Sequence, residues 1–342
     1  MIVVRHASAC VLAVSVCALA ACGRRTDSPG ARPAATPVRM AVGGQNQLLY
    51  LPITLARELG YYKDAGLDVD IQDFGGGSKA LESLLGGSAD VVSGFYDHTI
   101  QMAAEGRELV AFVAMLRFPG LVLTTSPSHA ADIASIADLR GRIVGVTAAG
   151  SSTQMILTYL LGRHGVPPAS VSIAAIGAAA TAIAAVEHGR VDAAMMAEPA
   201  FTMVQRRNPQ VRVLADLRRA DGVRDAFGTD SYMASVLYST RAWTTAHADT
   251  ARRLARAIAR TLDWMQGHTP AEIAAKMPPL FRGNDEALYV EALGHAMPMY
   301  SPDGRMSAEA AGAVRSLLAD SLPAVRDAPI DVTATFTNDF LR

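Results

Sequence analysis

The stretch 69–90 returns at 171–192, shifted by 102 positions, with matching residues where a chain bends or seats itself. Val69 and Val171, Ile71 and Ile173, Gly75 and Gly177, Ala80 and Ala182, Gly87 and Gly189, and Asp90 and Asp192 coincide. Phe74/Ile176, Leu81/Ile183, Leu84/Val186 and Ala89/Val191 keep apolar character. A period this long exceeds a solenoid unit, so the pattern specifies two related halves. Within each half short apolar runs alternate with helical spacing, which implies strand–helix–strand units and parallel sheets. The expected fold is α/β and two-lobed, each lobe a mainly parallel sheet flanked by helices, with a cleft between.

In the first half Val38–Val42, Leu67–Ile71 and Ala89–Ser93 read as strands. Pro52 suits the first turn of a helix that carries Leu55, Ala56 and Leu59 on one face and stops at Gly60. Ser78 is the expected N-cap of a second helix ended by Gly86-Gly87. The second half repeats this order, with strands at Arg142–Val146, Ser170–Ala174 and Val191–Met195 and helices at Gln154–Leu161 and Ala179–Val186. Gly120–Thr125 and Tyr232–Tyr238 lie outside both copies and are the expected crossings between lobes. The chain then divides into 38–122 plus 238–342 as one lobe and 123–237 as the other. The C-terminal hundred residues carry helical stripes, one of them Ala251, Leu254, Ala255, Ile258, Leu262 and Met265 behind a capping Asp249, another opened by Ser307.

The first 21 residues read as an export signal. Arg5 precedes an apolar run, Ala7–Ala20, that is shorter than the ~20 residues a membrane span needs. It ends in Leu19-Ala20-Ala21-Cys22-Gly23, which resembles the bacterial lipoprotein box and implies acylation of Cys22. Cys10 and Cys17 would leave with the signal, so Cys22 is the one cysteine of the mature chain and no disulfide is expected. Residues 22–37 then form a lipid-anchored tether rich in Pro, Ala, Arg, Ser and Gly, with a reach of roughly 45 Å. The formal net charge of −1 argues against a nucleic-acid partner.

In open parallel sheets, ligands bind beyond the carboxyl ends of the strands, where helix N-termini also point. Six loops qualify: Gly43–Leu51, Gly75–Lys79, Gly94–His98, Ala148–Thr153, Gly177–Thr181 and Ala197–Ala200. The sharpest is Gly150-Ser151-Ser152-Thr153, where a glycine permits close approach and hydroxyls and helix N–H groups suit an oxyanion. Gly76 and Ser78 form a plainer turn. The repeat sets Phe95-Tyr96-Asp97 opposite Ala197-Glu198-Pro199, so Asp97 and Glu198 are acidic groups on facing lobes. Each is open to two readings: contact with a ligand N–H, or capping and Arg pairing within its own lobe. Gln45 and Asn46 offer amides, while Tyr50, Phe95, Tyr96 and Tyr232 offer faces to a flat or apolar ligand. His98 and His188 read as structural or exposed, and the eight histidines show no metal-ligand spacing. No G-x-S-x-G, H-E-x-x-H or G-x-G-x-x-G motif occurs. No catalytic residue, metal or cofactor is expected.

Several segments resemble the periplasmic solute-binding proteins of ABC importers, in the branch that handles nitrate, sulfonates, taurine and thiamine-type pyrimidine precursors. They include Gly60-Tyr61-Tyr62, Gly66-Leu67-Asp68-Val69, Leu84-Leu85-Gly86-Gly87-Ser88-Ala89-Asp90-Val91, Ile136-Ala137-Asp138-Leu139-Arg140-Gly141, Val144-Gly145-Val146-Thr147 and Gly189-Arg190-Val191-Asp192. The resemblance spans 38–342 and implies a type II two-lobed trap, monomeric, that closes on one small molecule and docks on a permease with its ATPase. An oxyanion-bearing ligand is implied, a sulfonate, taurine-like or nitrate-like compound, or a related nitrogen compound. One branch of the family makes a thiamine pyrimidine with a cysteine-rich motif that this chain lacks. An exported enzyme of that kind, or a sensor on the same fold, is the alternative.

Overall fold

The computed structural model describes residues 34–342; the expected signal, Cys22 and most of the tether lie outside them. The first lobe opens with β1 (Thr36–Val42), α1 (Leu51–Glu58), β2 (Leu67–Asp73), α2 (Gly77–Leu85), β3 (Val91–Phe95), α3 (Asp97–Ala104) and β4 (Leu109–Ala114). The second holds β5 (Leu121–Thr125), β6 (Ile143–Val146), α4 (Ser152–Arg163), β7 (Ser172–Ala175), α5 (Ala180–Glu187), β8 (Ala193–Ala197), α6 (Ala200–Arg207) and β9 (Val213–Asp216). The chain returns to the first lobe through β10 (Ser235–Thr240), followed by α7 (Ala248–Gln266), α8 (Glu286–Ala296) and α9 (Ala308–Ser321).

Two five-stranded sheets result, ordered β2-β1-β3-β10-β4 and β7-β6-β8-β5-β9. Their orders match position for position. Each is parallel except for the strand that enters from the other lobe: β10 is antiparallel to β3 and β4, and β5 to β8 and β9. The cause is topological. β4 and β9 end at the cleft, so the strand that follows each crossing starts there and must run the opposite way.

Strand pairing moves the expected boundaries. Leu121 and Val122 pair with Ala197 and Met196 of the second sheet, and Ser235–Leu237 pair with the first. Because the helix Ala220–Phe227 still packs on β9, the crossings are residues 115–120 and 228–234, rather than points at 122 and 237. Thr36 and Pro37, expected in the tether, already pair with Leu67 and Asp68; proline is tolerated at a strand's beginning.

The repeated residues do the same work twice. Gly75 and Gly177 turn the chain after β2 and β7 with φ of 67° and 71°, and Gly87 and Gly189 end α2 and α5 with φ of 74° and 63°; such backbone favours glycine. Ala80 and Ala182 are buried where those helices seat. Asp90 accepts from the Arg39 N–H at 2.8 Å, and Asp192 from the Ile143 N–H at 2.6 Å. In return the Asp90 and Asp192 N–H groups donate to the carbonyls of Arg39 and Ile143. Each aspartate thus fastens the head of a central strand.

The α7 stripe read from sequence is buried, from Ala251 to Met265, and α7 packs on α1 and β4. Each fully buried leucine or isoleucine there is worth about 1.5–3 kcal/mol. Thr240, Thr269, Asp285 and Ser307 cap helices with their side chains, Ser307 as expected. Asp249 lies inside the first turn of α7 and pairs with Arg253 at 2.9 Å. No helix among the described residues is long and apolar enough to cross a membrane.

Candidate functional site

The carboxyl ends of the parallel strands face each other across the cleft, and the loops after them meet. Backbone approach is close because glycines remove side chains. A Cβ on Gly43 would lie 2.4 Å from the Gly77 nitrogen, and one on Gly76 would lie 2.8 Å from Cβ of Ala148 in the opposite lobe. Ser78 is not the N-cap of α2, a position held by Gly76. Its hydroxyl instead crosses the cleft, donating to the Ala149 carbonyl at 2.7 Å, while its N–H donates to Ser151 Oγ at 3.1 Å. A second crossing joins Ser152 Oγ to Asp97 Oδ1 at 2.8 Å, and a third runs from the Leu48 N–H to the Glu198 carbonyl at 2.8 Å. The lobes are closed.

Between them lies a small cavity of about 20 Å³ in this closed arrangement. The first lobe lines it with Gly43, Gln47, Leu49, Tyr50, Gly77 and Phe95, and the second with Leu121, Thr147, Ser151, Ser152 and Thr153. Of the expected residues, Tyr50, Phe95, Ser151, Ser152 and Thr153 come together here. Gly76, Ser78 and Gly150 stand beside it at the lobe contact, where a Cβ on Gly150 would approach Ser78.

Asp97, the first residue of α3, is 1% exposed. Its Oδ1 is held by Ser152, and its Oδ2 meets no donor among the described residues. Burial pushes this carboxyl above the usual range, opposed by the neighbouring His98 and the Ser152 hydrogen bond. Tyr50 and Tyr232 are likewise raised, by burial first and then by the Asp97 charge. The Tyr232 hydroxyl is also buried, without a partner among the described residues. His98, read as structural or exposed, is fully buried, with Nδ1 3.4 Å from the Tyr238 hydroxyl and Nε2 unpartnered.

Other expected residues turn elsewhere. Tyr96 points away from the cleft, its hydroxyl on Thr335 and its ring edge-on to Phe336. It follows Phe95 in a strand-to-helix turn, so the two rings leave on different sides. Gln45 donates to Thr54 at 2.9 Å and does not line the cavity. Glu198 follows its intralobe alternative: Oε1 takes Arg218 at 2.6 Å and Oε2 the Thr202 N–H at 3.1 Å. Arg218 is bound on its other side by Asp216 at 2.5 Å. Of the hydroxyls expected to grip an oxyanion, Ser152 has its proton engaged. Ser151 accepts from Ser78, Ser152 donates to Asp97, and Thr153 accepts from the Thr147 N–H at 3.0 Å.

Gly43, Gln47, Leu49 and Gly77 fall within loops expected to face a ligand but are not singled out there, and Leu121 and Thr147 lie outside all six loops. Gln47 precedes the single helical turn Leu48–Tyr50 and its amide donates to the Gly43 carbonyl at 3.0 Å. Leu121 lies on a crossing strand. No local pattern marks either one, because the facing lobe determines that they meet.

Residues 48–273 match the family described as NMT1/THI5 like. A solved protein from Bordetella bronchiseptica RB50 superposes with a TM-score of 0.85 at 36% identity, over 90% of this chain and 96% of that one. The alkanesulfonate-binding protein SsuA from Xanthomonas axonopodis pv. citri, solved bound to MOPS, superposes at a TM-score of 0.69 and 19% identity, covering 90% of this chain and 99% of its own. The putative binding protein YtlA of Bacillus subtilis (strain 168) is 22% identical over 75% of each chain.

Proposed function

This chain belongs to the NMT1/THI5-like family and has the two-lobed periplasmic-binding-protein fold, and from that premise we propose that it is an extracytoplasmic solute receptor. It captures one small molecule between its lobes and hands it to the permease of an ABC importer, whose ATPase drives uptake. The observation that carries this reading is the cleft itself. Loops from both lobes enclose one cavity, and the hydrogen bonds across it, from Ser78 to Ala149 and Ser152 to Asp97, are ones that only closure makes. A ligand with contacts to both faces would favour closure by its differential affinity for that arrangement.

The expected signal and Cys22 fit this role, with several acyl chains on Cys22 holding a monomeric receptor at the outer face of the membrane. Cys22→Ala should move the protein from the membrane fraction to the soluble one, and unchanged partitioning would remove the anchor. The relatives' names suggest a sulfonate or similar oxyanion for this chain too. The Ser152 proton, given to the Asp97 carboxylate, weighs against an oxyanion grip at that hydroxyl.

The test is thermal unfolding across a panel of small sulfonates, carboxylates, nitrate, amines and aminoheterocycles. At least one compound is expected to raise the melting temperature in a dose-dependent way, since ligand at 100 times its Kd adds about 2.7 kcal/mol. A panel that leaves the protein unmoved would sink the receptor reading.

A further inference from the structure

We propose that the cleft takes a small cationic nitrogen ligand, an amine, amidine or protonated aminoheterocycle, whose N–H groups bind Asp97 Oδ2. This deepens the receptor reading and rests on it.

Three observations converge. The first is the carboxylate. Asp97 is buried at the lobe contact, one oxygen satisfied by Ser152 of the facing lobe and the other by nothing among the described residues. A buried carboxylate oxygen without a donor is unfavourable, and the residue types that usually answer it are Arg and Lys. Neither occurs among the cavity-lining residues, which carry no formal charge. Arg218, part of the second lobe, is consumed by Glu198 and Asp216.

The second is the wall. Tyr50 and Phe95 line the cavity, and the buried Tyr232, whose phenol feels the Asp97 charge, has no hydrogen-bond partner for its hydroxyl among the described residues. Aromatic faces beside a lone carboxylate form a setting that attracts a positive nitrogen, since both the ring quadrupole and the formal charge favour it. The third is what an anion would meet. A sulfonate or carboxylate in this cavity would meet the Asp97 charge in a poorly screened interior, with no Arg or Lys lining the cavity to offset it and with the Ser152 proton already given to Asp97.

The experiment compares matched probes of opposite charge, butylamine and benzamidine against butanesulfonate and butyrate, by thermal shift and calorimetry on the exported domain and on Asp97→Asn. The amine or the amidine is expected to stabilise the natural protein and to bind Asp97→Asn at least about 30-fold more weakly, the loss that follows when one partner of a buried charged pair is removed. Stabilisation by the anions but not the cations would overturn the ligand class while leaving the receptor reading intact. Equal cation affinity in Asp97→Asn would also overturn it. Silence from both charge classes would take the receptor reading down with it. Should Asp97→Asn not fold, the cation-to-anion comparison on the natural protein still decides.

Discussion

Asp97 is buried at the lobe contact, and its burial comes at a cost to the fold. Burial raises its pKa, more than the His98 charge and the Ser152 hydrogen bond lower it. A carboxyl whose folded pKa lies above its unfolded one takes up its proton more readily in the native state. Ionised Asp97 therefore weakens the fold at neutral pH, and that penalty fades as pH falls through its raised native value. Asp97→Asn should accordingly stabilise the protein in the absence of ligand at neutral pH by about 1–2 kcal/mol, a few degrees in melting temperature. The difference should shrink on acidification, and a variant that melts at or below the natural protein at neutral pH would contradict this. Which residues carry such roles was only partly legible in the sequence. Asp97 is marked by its place after a strand, but so is Glu198, and only the fold reveals Arg218 closing on the latter. Likewise Ser78 has the residue type and position of a helix cap, yet its hydroxyl spans the cleft.

At the scale of elements, the duplicated pattern proved a reliable guide. The strands expected at Ala89–Ser93 and Val191–Met195 are both displaced by two residues, to Val91–Phe95 and Ala193–Ala197. The displacement is the same in both copies because it has the same cause. Asp90 and Asp192 head these strands, and their side chains fasten the neighbouring β1 and β6. Asp90 is also lowered in pKa: partial burial works to raise it, and the hydrogen bonds and charge of Arg39 outweigh burial. Its contribution is thus present above the usual carboxylate pKa and lost as pH falls through the lowered one. Replacing either aspartate by alanine leaves a strand N–H without its partner. Asp90→Ala and Asp192→Ala should each cost about 1–2 kcal/mol in denaturant unfolding. A change under a few tenths in either would remove the shared role.

For the whole molecule, two sheets of matching order face each other with the ends of their parallel strands, joined by the crossings 115–120 and 228–234. The repeat announced that architecture. It could not announce which side chains of one lobe touch which of the other, since Ser78 and Ser151 lie 73 positions apart and neither sits in a repeated position. Those contacts are what makes the cleft a trap rather than a groove. The most direct test of the trap uses the pair Ser78→Cys and Ser151→Cys in a domain whose residues beyond 22 contain no other cysteine. The hydroxyls they replace are 3.3 Å apart, so oxidation should lock the lobes together. For the compound that best stabilises the protein, calorimetry should find binding to the reduced variant and none to the variant oxidised beforehand. Equal affinity in both forms would place the ligand outside the cleft and contradict the account.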